Sequence, residues 1–117
     1  LKKLITVVLL MCCGVCHAQY TREQYDYCFA VQNVAHIAAH GRDYQRWSPQ
    51  QTLEETKKRG FYEQARKHKI NVKKLINSVY FGELRWITPQ NSYNVNHVCL
   101  YQFSEKHKRM KSYKPLR

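Results

Sequence analysis

Two cysteines constrain this chain more than any other feature. Five occur in the sequence, but Cys12, Cys13 and Cys16 lie inside a segment with the layout of an export leader. Leu1-Lys2-Lys3 is a basic n-region, residues 4–15 are an apolar h-region, and Cys16-His17-Ala18 ends on a small residue at the cleavage position. Cleavage after Ala18 would leave Gln19 first, with Cys28 and Cys99 near opposite ends of what remains. An oxidising compartment then offers them one pairing. A retained membrane anchor is the competing reading, although the apolar run is shorter than the ~20 residues that span a bilayer.

The staple matters because the core is small. Loop-closure entropy for a ring of this size is worth about 4 kcal/mol. Leu, Ile, Val and Phe are sparse beyond the leader, close to the level at which charged chains stay disordered. Nine tyrosines and two tryptophans compensate in part, since each can bury a ring while its polar atom finds a partner. A modest core with one covalent closure is a workable design at this length.

Periodicity and capping predict an all-α fold, a small bundle of four to five helices. Thr21 to Gln24 reads as a capping box. Behind it Cys28, Val31, Ala35 and Ala38 recur at helical spacing, with Tyr27 and Val34 widening the stripe. Gly41 is expected to end this helix with a left-handed cap. Ser48-Pro49-Gln50-Gln51 starts a second helix to about Arg59, with Leu53 its only strongly apolar residue. Gly60 breaks it, and Phe61, Tyr62 and Ala65 open a short third.

Asn71 to Phe81 carries Val72, Leu75, Ile76, Val79 and Tyr80, an unbroken apolar face closed by Gly82. This helix is expected to lie clasped between those bearing Cys28 and Cys99. Leu84, Trp86 and Ile87 then form an apolar link. Thr88-Pro89-Gln90-Asn91 is a third start signal, leading into a last long helix with Val95, Val98, Cys99, Gln102 and Phe103 on one face. The chain thus divides into a leader (1–18), a helical domain (19–105) and a basic tail (106–117).

No catalytic constellation is legible. His36 and His40 stand at i, i+4, a spacing that lets two imidazoles reach one metal, but zinc needs three or four ligands and no third is supplied locally. Glu54 and Glu55 are neighbours that point to different faces. Ser48 and Thr88 are better explained as helix caps than as nucleophiles. The expectation is therefore a protein with no catalytic residues, no metal site and no cofactor.

Charge is the remaining signal. Lys and Arg number 20 against 8 Asp and Glu, a formal net charge of +12. Without Lys2 and Lys3 the balance is 18 against 8, or +10. Such a field favours anionic partners, and export argues against nucleic acid among them. The cations concentrate in a strip of Lys57, Lys58, Arg59, Arg66, Lys67, Lys69, Lys73 and Lys74, extended by Lys106, Lys108, Arg109 and Lys111 in the tail. They either form a solvated face or bind an anionic envelope or membrane surface. Between the first two helices, Tyr44, Arg46 and Trp47 form a ring-rich loop that no helix signal explains. Buried aromatic and Arg anchors dominate protein interfaces, so these three are the candidate partner-binding residues.

One resemblance bears on function. A Cys in the first helix is followed by A-x-I-A-x-x-x-R-D from Ala35 to Asp43 and an S-x-x-Q helix start. I-x-x-V-Y from Ile76 to Tyr80 and a Cys in the last helix complete the layout. It resembles a group of short exported helical proteins of bacteria and their phages with one disulfide. Some exported proteins of similar build are inhibitors or immunity proteins, such as the phage-encoded periplasmic lysozyme inhibitors. The resemblance implies a periplasmic or secreted protein that is not an enzyme and acts by contact with another protein.

Overall fold

The computed structural model describes residues 20–104. The leader and the tail, with Lys106, Lys108, Arg109 and Lys111, lie outside the described residues. Five α-helices make up the described fold, and it contains no strand. They are α1 (Arg22–His40), α2 (Pro49–Lys58), α3 (Phe61–Lys67), α4 (Val72–Phe81) and α5 (Asn94–Tyr101).

Two of the starts form as reciprocal capping boxes. Thr21 Oγ1 accepts from the Gln24 amide at 3.1 Å, and the Thr21 amide donates to Gln24 Oε1 at 2.9 Å. Ser48 and Gln51 repeat the pattern at 3.2 and 2.7 Å. Each satisfies donors that a helix start leaves open. At Thr88 the same exchange with Asn91 is made, at 2.6 and 3.2 Å. It opens a run of turns rather than a helix. Asn94, Val95 and Asn96 each donate to the carbonyl three residues back, so α5 begins only at Asn94 and is shorter than its apolar face predicts.

The centre of the fold is α1, against which α2, α3, α4 and α5 all pack. Cys28, Ala30, Val34, Ala35, Ile37, Ala38 and Ala39 are buried along it, far more than a single stripe. Its alanines make this arrangement feasible, because small side chains let neighbouring helix axes approach on several sides. The expected order is corrected accordingly: α4 is not clasped between the two cysteine helices, since α4 and α5 each dock on α1 and touch each other only marginally. Val72, Ile76 and Val79 of α4 join Val34, Ala35, Ala38, Ala65, Ile87 and Val95 in the main core. Ile76, Ile87 and Val79 are almost fully buried, each contributing about 1.5–3 kcal/mol.

A smaller cluster surrounds the disulfide. Cys28 and Cys99 are bonded, with Cα atoms 5.5 Å apart, and Leu100, Tyr20, Tyr27, Val31 and Phe103 pack around them. The bond is compatible with an oxidising, extracytoplasmic location. No helix among the described residues is long and apolar enough to cross a membrane.

Gly41 does not end α1 in a left-handed conformation. Its φ of −63° is helical, and the chain continues through a π-helical turn, Gly41–Gln45, that closes at Arg46 with φ 55°. Glycine is required at 41 for another reason. A Cβ there would lie 2.5 Å from Trp47 Cε3 and 2.8 Å from Thr52 Oγ1, so the indole and the α2 threonine occupy the space of the missing side chain.

Candidate functional site

Tyr44 lies within the π turn and Arg46 and Trp47 follow it, each in different surroundings. Trp47 is partly buried. Its amide donates to the Gly41 carbonyl at 2.9 Å, its ring lies against Gly41, and its carbonyl accepts from the Tyr80 hydroxyl at 2.8 Å. Arg46 is exposed and holds the left-handed position that closes the turn. Tyr44 is 55% exposed, its ring set edge-on to His40 with centroids 5.4 Å apart. Its hydroxyl accepts from Gln90 Nε2. The turn therefore presents a ring and a guanidinium on a support that Trp47 helps to fix.

That support is organised by Arg42. Its guanidinium forms a two-pronged pair with the adjacent Asp43, Nε to Oδ1 at 2.7 Å and Nη2 to Oδ2 at 3.0 Å. The remaining donors reach the carbonyls of Val79 at 2.5 Å, Arg85 at 3.3 Å and Ile87 at 2.5 Å. Val79 is in the last turn of α4, where carbonyls lack partners and the helix dipole favours a cation. The Asp43 hydrogen bond raises the Arg42 pKa further, against the opposing effect of burial. The same bond lowers the Asp43 pKa. One side chain thus ties the π turn to the end of α4 and to the link that follows.

The tie brings in residues that sequence reasoning left out of the site. Trp86, 44% exposed, lies between the two link residues whose carbonyls Arg42 holds. Gln90, four residues further on, donates to the Tyr44 hydroxyl. Beneath them Tyr80 donates to Trp47 and lies 2.7 Å from Thr52 Oγ1, and burial pushes its phenol pKa up. Thr52 and Thr56 are the fully buried residues of α2, with Thr56 Oγ1 donating to the Thr52 carbonyl. Apolar periodicity could not identify them, because threonine reads as polar until its hydroxyl has a partner. The Arg42-Asp43 dipeptide following an apolar helix was the one available signal for the latch.

The residues of the basic strip are all exposed, and they have different neighbours. Lys58 and Arg59 both pair with Glu55, at 3.5 and 3.6 Å. Arg66 pairs with Glu63 at 3.3 Å, and Lys57 sits 5.0 Å over the Tyr62 ring. Lys67 and Lys69 line a hollow with Tyr27 and Phe103. Lys73 and Lys74 line a shallow depression along α4 with Asn77 and Phe81.

The two helix histidines have separate partners. His36 Nδ1 lies 2.7 Å from Ser92 Oγ, whereas the His40 ring meets Tyr44 and Trp47. The serine is buried and also donates to the Pro89 carbonyl, so the pair fastens the lead-in of α5 to α1. Among the described residues no group of three or more His, Cys, Asp or Glu side chains could hold a metal ion.

Comparison with protein-family models, with curated proteins and with solved structures finds no match to this chain.

Proposed function

We propose that this chain is an exported, non-enzymatic binding protein that acts by contact with another protein, in the manner of an inhibitor or immunity-type factor. The observation that carries the reading is the pair of exposed rings, Tyr44 and Trp86, each next in sequence to residues that the Arg42 latch holds, with Arg46 exposed at the close of the π turn. Rigid aromatic and arginine side chains lose little freedom on binding and are the usual energetic centres of interfaces. The partner is another protein of the periplasm or the exterior, and export disfavours nucleic acid.

Capture from an envelope extract with the oxidised chain, followed by titration of the recovered protein, tests this reading. Tyr44→Ala and Trp86→Ala are expected to weaken binding at least tenfold, with the melting temperature within a few degrees of the parent. Unchanged affinity in both variants rejects the site.

A cationic binder of anionic envelope surfaces is the second reading. It is favoured by Lys73 and Lys74, which stand in the first turn of α4, a turn without an acidic residue, at an end where the helix dipole disfavours cations. Binding of that kind would collapse as salt rises, since exposed charges are screened over ~10 Å at 0.1 M salt. Neutralising Lys106, Lys108, Arg109 and Lys111 would weaken it, whereas Tyr44→Ala would not.

A further inference from the structure

The other end of α1, remote from the π turn, borders an open hollow of about 720 Å³ between the first turns of α1, the α3–α4 link and the end of α5. Its floor is aromatic. Tyr27 is half-buried and meets His68 and Phe103 edge-on, with centroids 6.2 and 5.9 Å away. Lys67 and Lys69 are exposed on its rim, and Glu23 is the one acid among its lining residues. Glu23 also lies in the first turn of α1, where the helix dipole favours a carboxylate.

Lys69 holds an unusual backbone position. The amide of Lys69 donates to the Arg66 carbonyl at 2.9 Å, and that of Ile70 to the Ala65 carbonyl at 3.1 Å. These bonds form a Schellman ending, whose left-handed residue is normally glycine. Here it is Lys69, at φ 60°. A lysine at a position that favours glycine, on the rim of a concave recess, points to a use for its side chain.

We propose that this hollow is a docking groove for an acidic peptide segment of a partner protein, a segment carrying one aromatic or large aliphatic side chain. The apolar side chain enters against Tyr27 and Phe103, and the carboxylates meet Lys67 and Lys69. Charge complementarity selects this occupant. The formal net charge of the whole chain, +12, adds to the attraction for an acidic segment. The chain's own segment 106–117 is basic with no acidic residue, and like charge disfavours it as the occupant. The hollow is concave, whereas an anionic lipid surface would need no concavity.

The test is titration of a labelled short acidic peptide with one central phenylalanine into the oxidised full-length chain, read by fluorescence anisotropy. Lys69→Gly removes the charge and relaxes the backbone, so its melting temperature should rise while affinity falls roughly threefold to fivefold, the scale of one exposed charge pair. Lys67→Ala should act similarly, and a peptide with alanine for phenylalanine should bind more weakly still. A double Lys73→Ala, Lys74→Ala variant on α4 should bind like the parent. The groove is rejected if Lys69→Gly leaves affinity unchanged or if the α4 double variant loses as much. It is equally rejected if the alanine peptide binds as well, or if anionic vesicles bind and the peptide does not.

Discussion

Arg42 Nη1 donates to the carbonyl of Val79 across 37 positions of the chain. It thereby joins the turn after the first helix to the last turn of the fourth. The Arg42 side chain is only 20% exposed, so its loss would strand acceptors at Val79, Arg85 and Ile87 together. Arg42→Met should destabilise the fold by about 2–4 kcal/mol in denaturant titrations, the cost of leaving several semi-buried acceptors without donors. Arg42→Lys should rescue little of it, since an ammonium cannot spread donors over four partners in a planar fork.

The acid limb of stability should report on the same latch. The hydrogen bond from Arg42 lowers the Asp43 pKa in the folded state. A carboxyl with a depressed folded pKa contributes stability above its unfolded value, about 3.9, and that contribution is lost as pH falls through the folded value. Asp43→Asn should therefore be less stable than the parent at neutral pH, with the difference shrinking below about pH 4. Melting temperatures of the two proteins between pH 7 and pH 2 check this.

Gly41 and Trp47 should behave as a coupled pair. Gly41→Ala puts a methyl group 2.5 Å from Trp47 Cε3 and should cost about 1–3 kcal/mol through overpacking. In a Trp47→Ala background the same change should cost less, and a double-mutant cycle measures the difference. Trp47→Ala alone should lower stability as well. Binding experiments on the loop are accordingly cleaner with Tyr44 than with Trp47.

Much of the fold was legible because its signals are local. Thr21 with Gln24 and Ser48 with Gln51 start helices where their side chains predict, and the apolar face of Val72, Ile76 and Val79 is buried as a unit. What was not legible depends on long-range partners. Gly41 looked like a stop because the indole that fills its missing Cβ comes six residues later. Thr52 looked exposed because its partner is Tyr80, and the helix predicted after Thr88 was delayed because Ser92 turns to His36. The central place of α1 was hidden for the same reason, since alanines register weakly in any apolar count. Of the candidate site, Tyr44 and Arg46 stood out by composition, whereas Trp86 joins them only through the Arg42 bonds to its neighbours and Gln90 only through its hydrogen bond to Tyr44.

Lys69→Gly should stabilise the protein by about 0.5–1 kcal/mol, because glycine adopts φ 60° without the steric penalty. For a domain of this size that corresponds to roughly 2–8 °C in melting temperature. Arg46→Gly, at φ 55°, should do the same, and calorimetry of both variants checks it.

Reduction of the disulfide should cost about 4 kcal/mol, a large share of a typical ~5–15 kcal/mol stability. Comparing denaturant midpoints with and without reductant gives the value.

The bond between Cys28 and Cys99 also determines what a protease can do to this molecule. It spans 71 positions, and every link between successive helices, including the exposed turn at Gly60, lies inside that span. A single cut at any of these links leaves one covalent molecule, with both pieces still bound through the central helix. Such a protein could be nicked without shedding a fragment, until reduction or a second cut separated its parts.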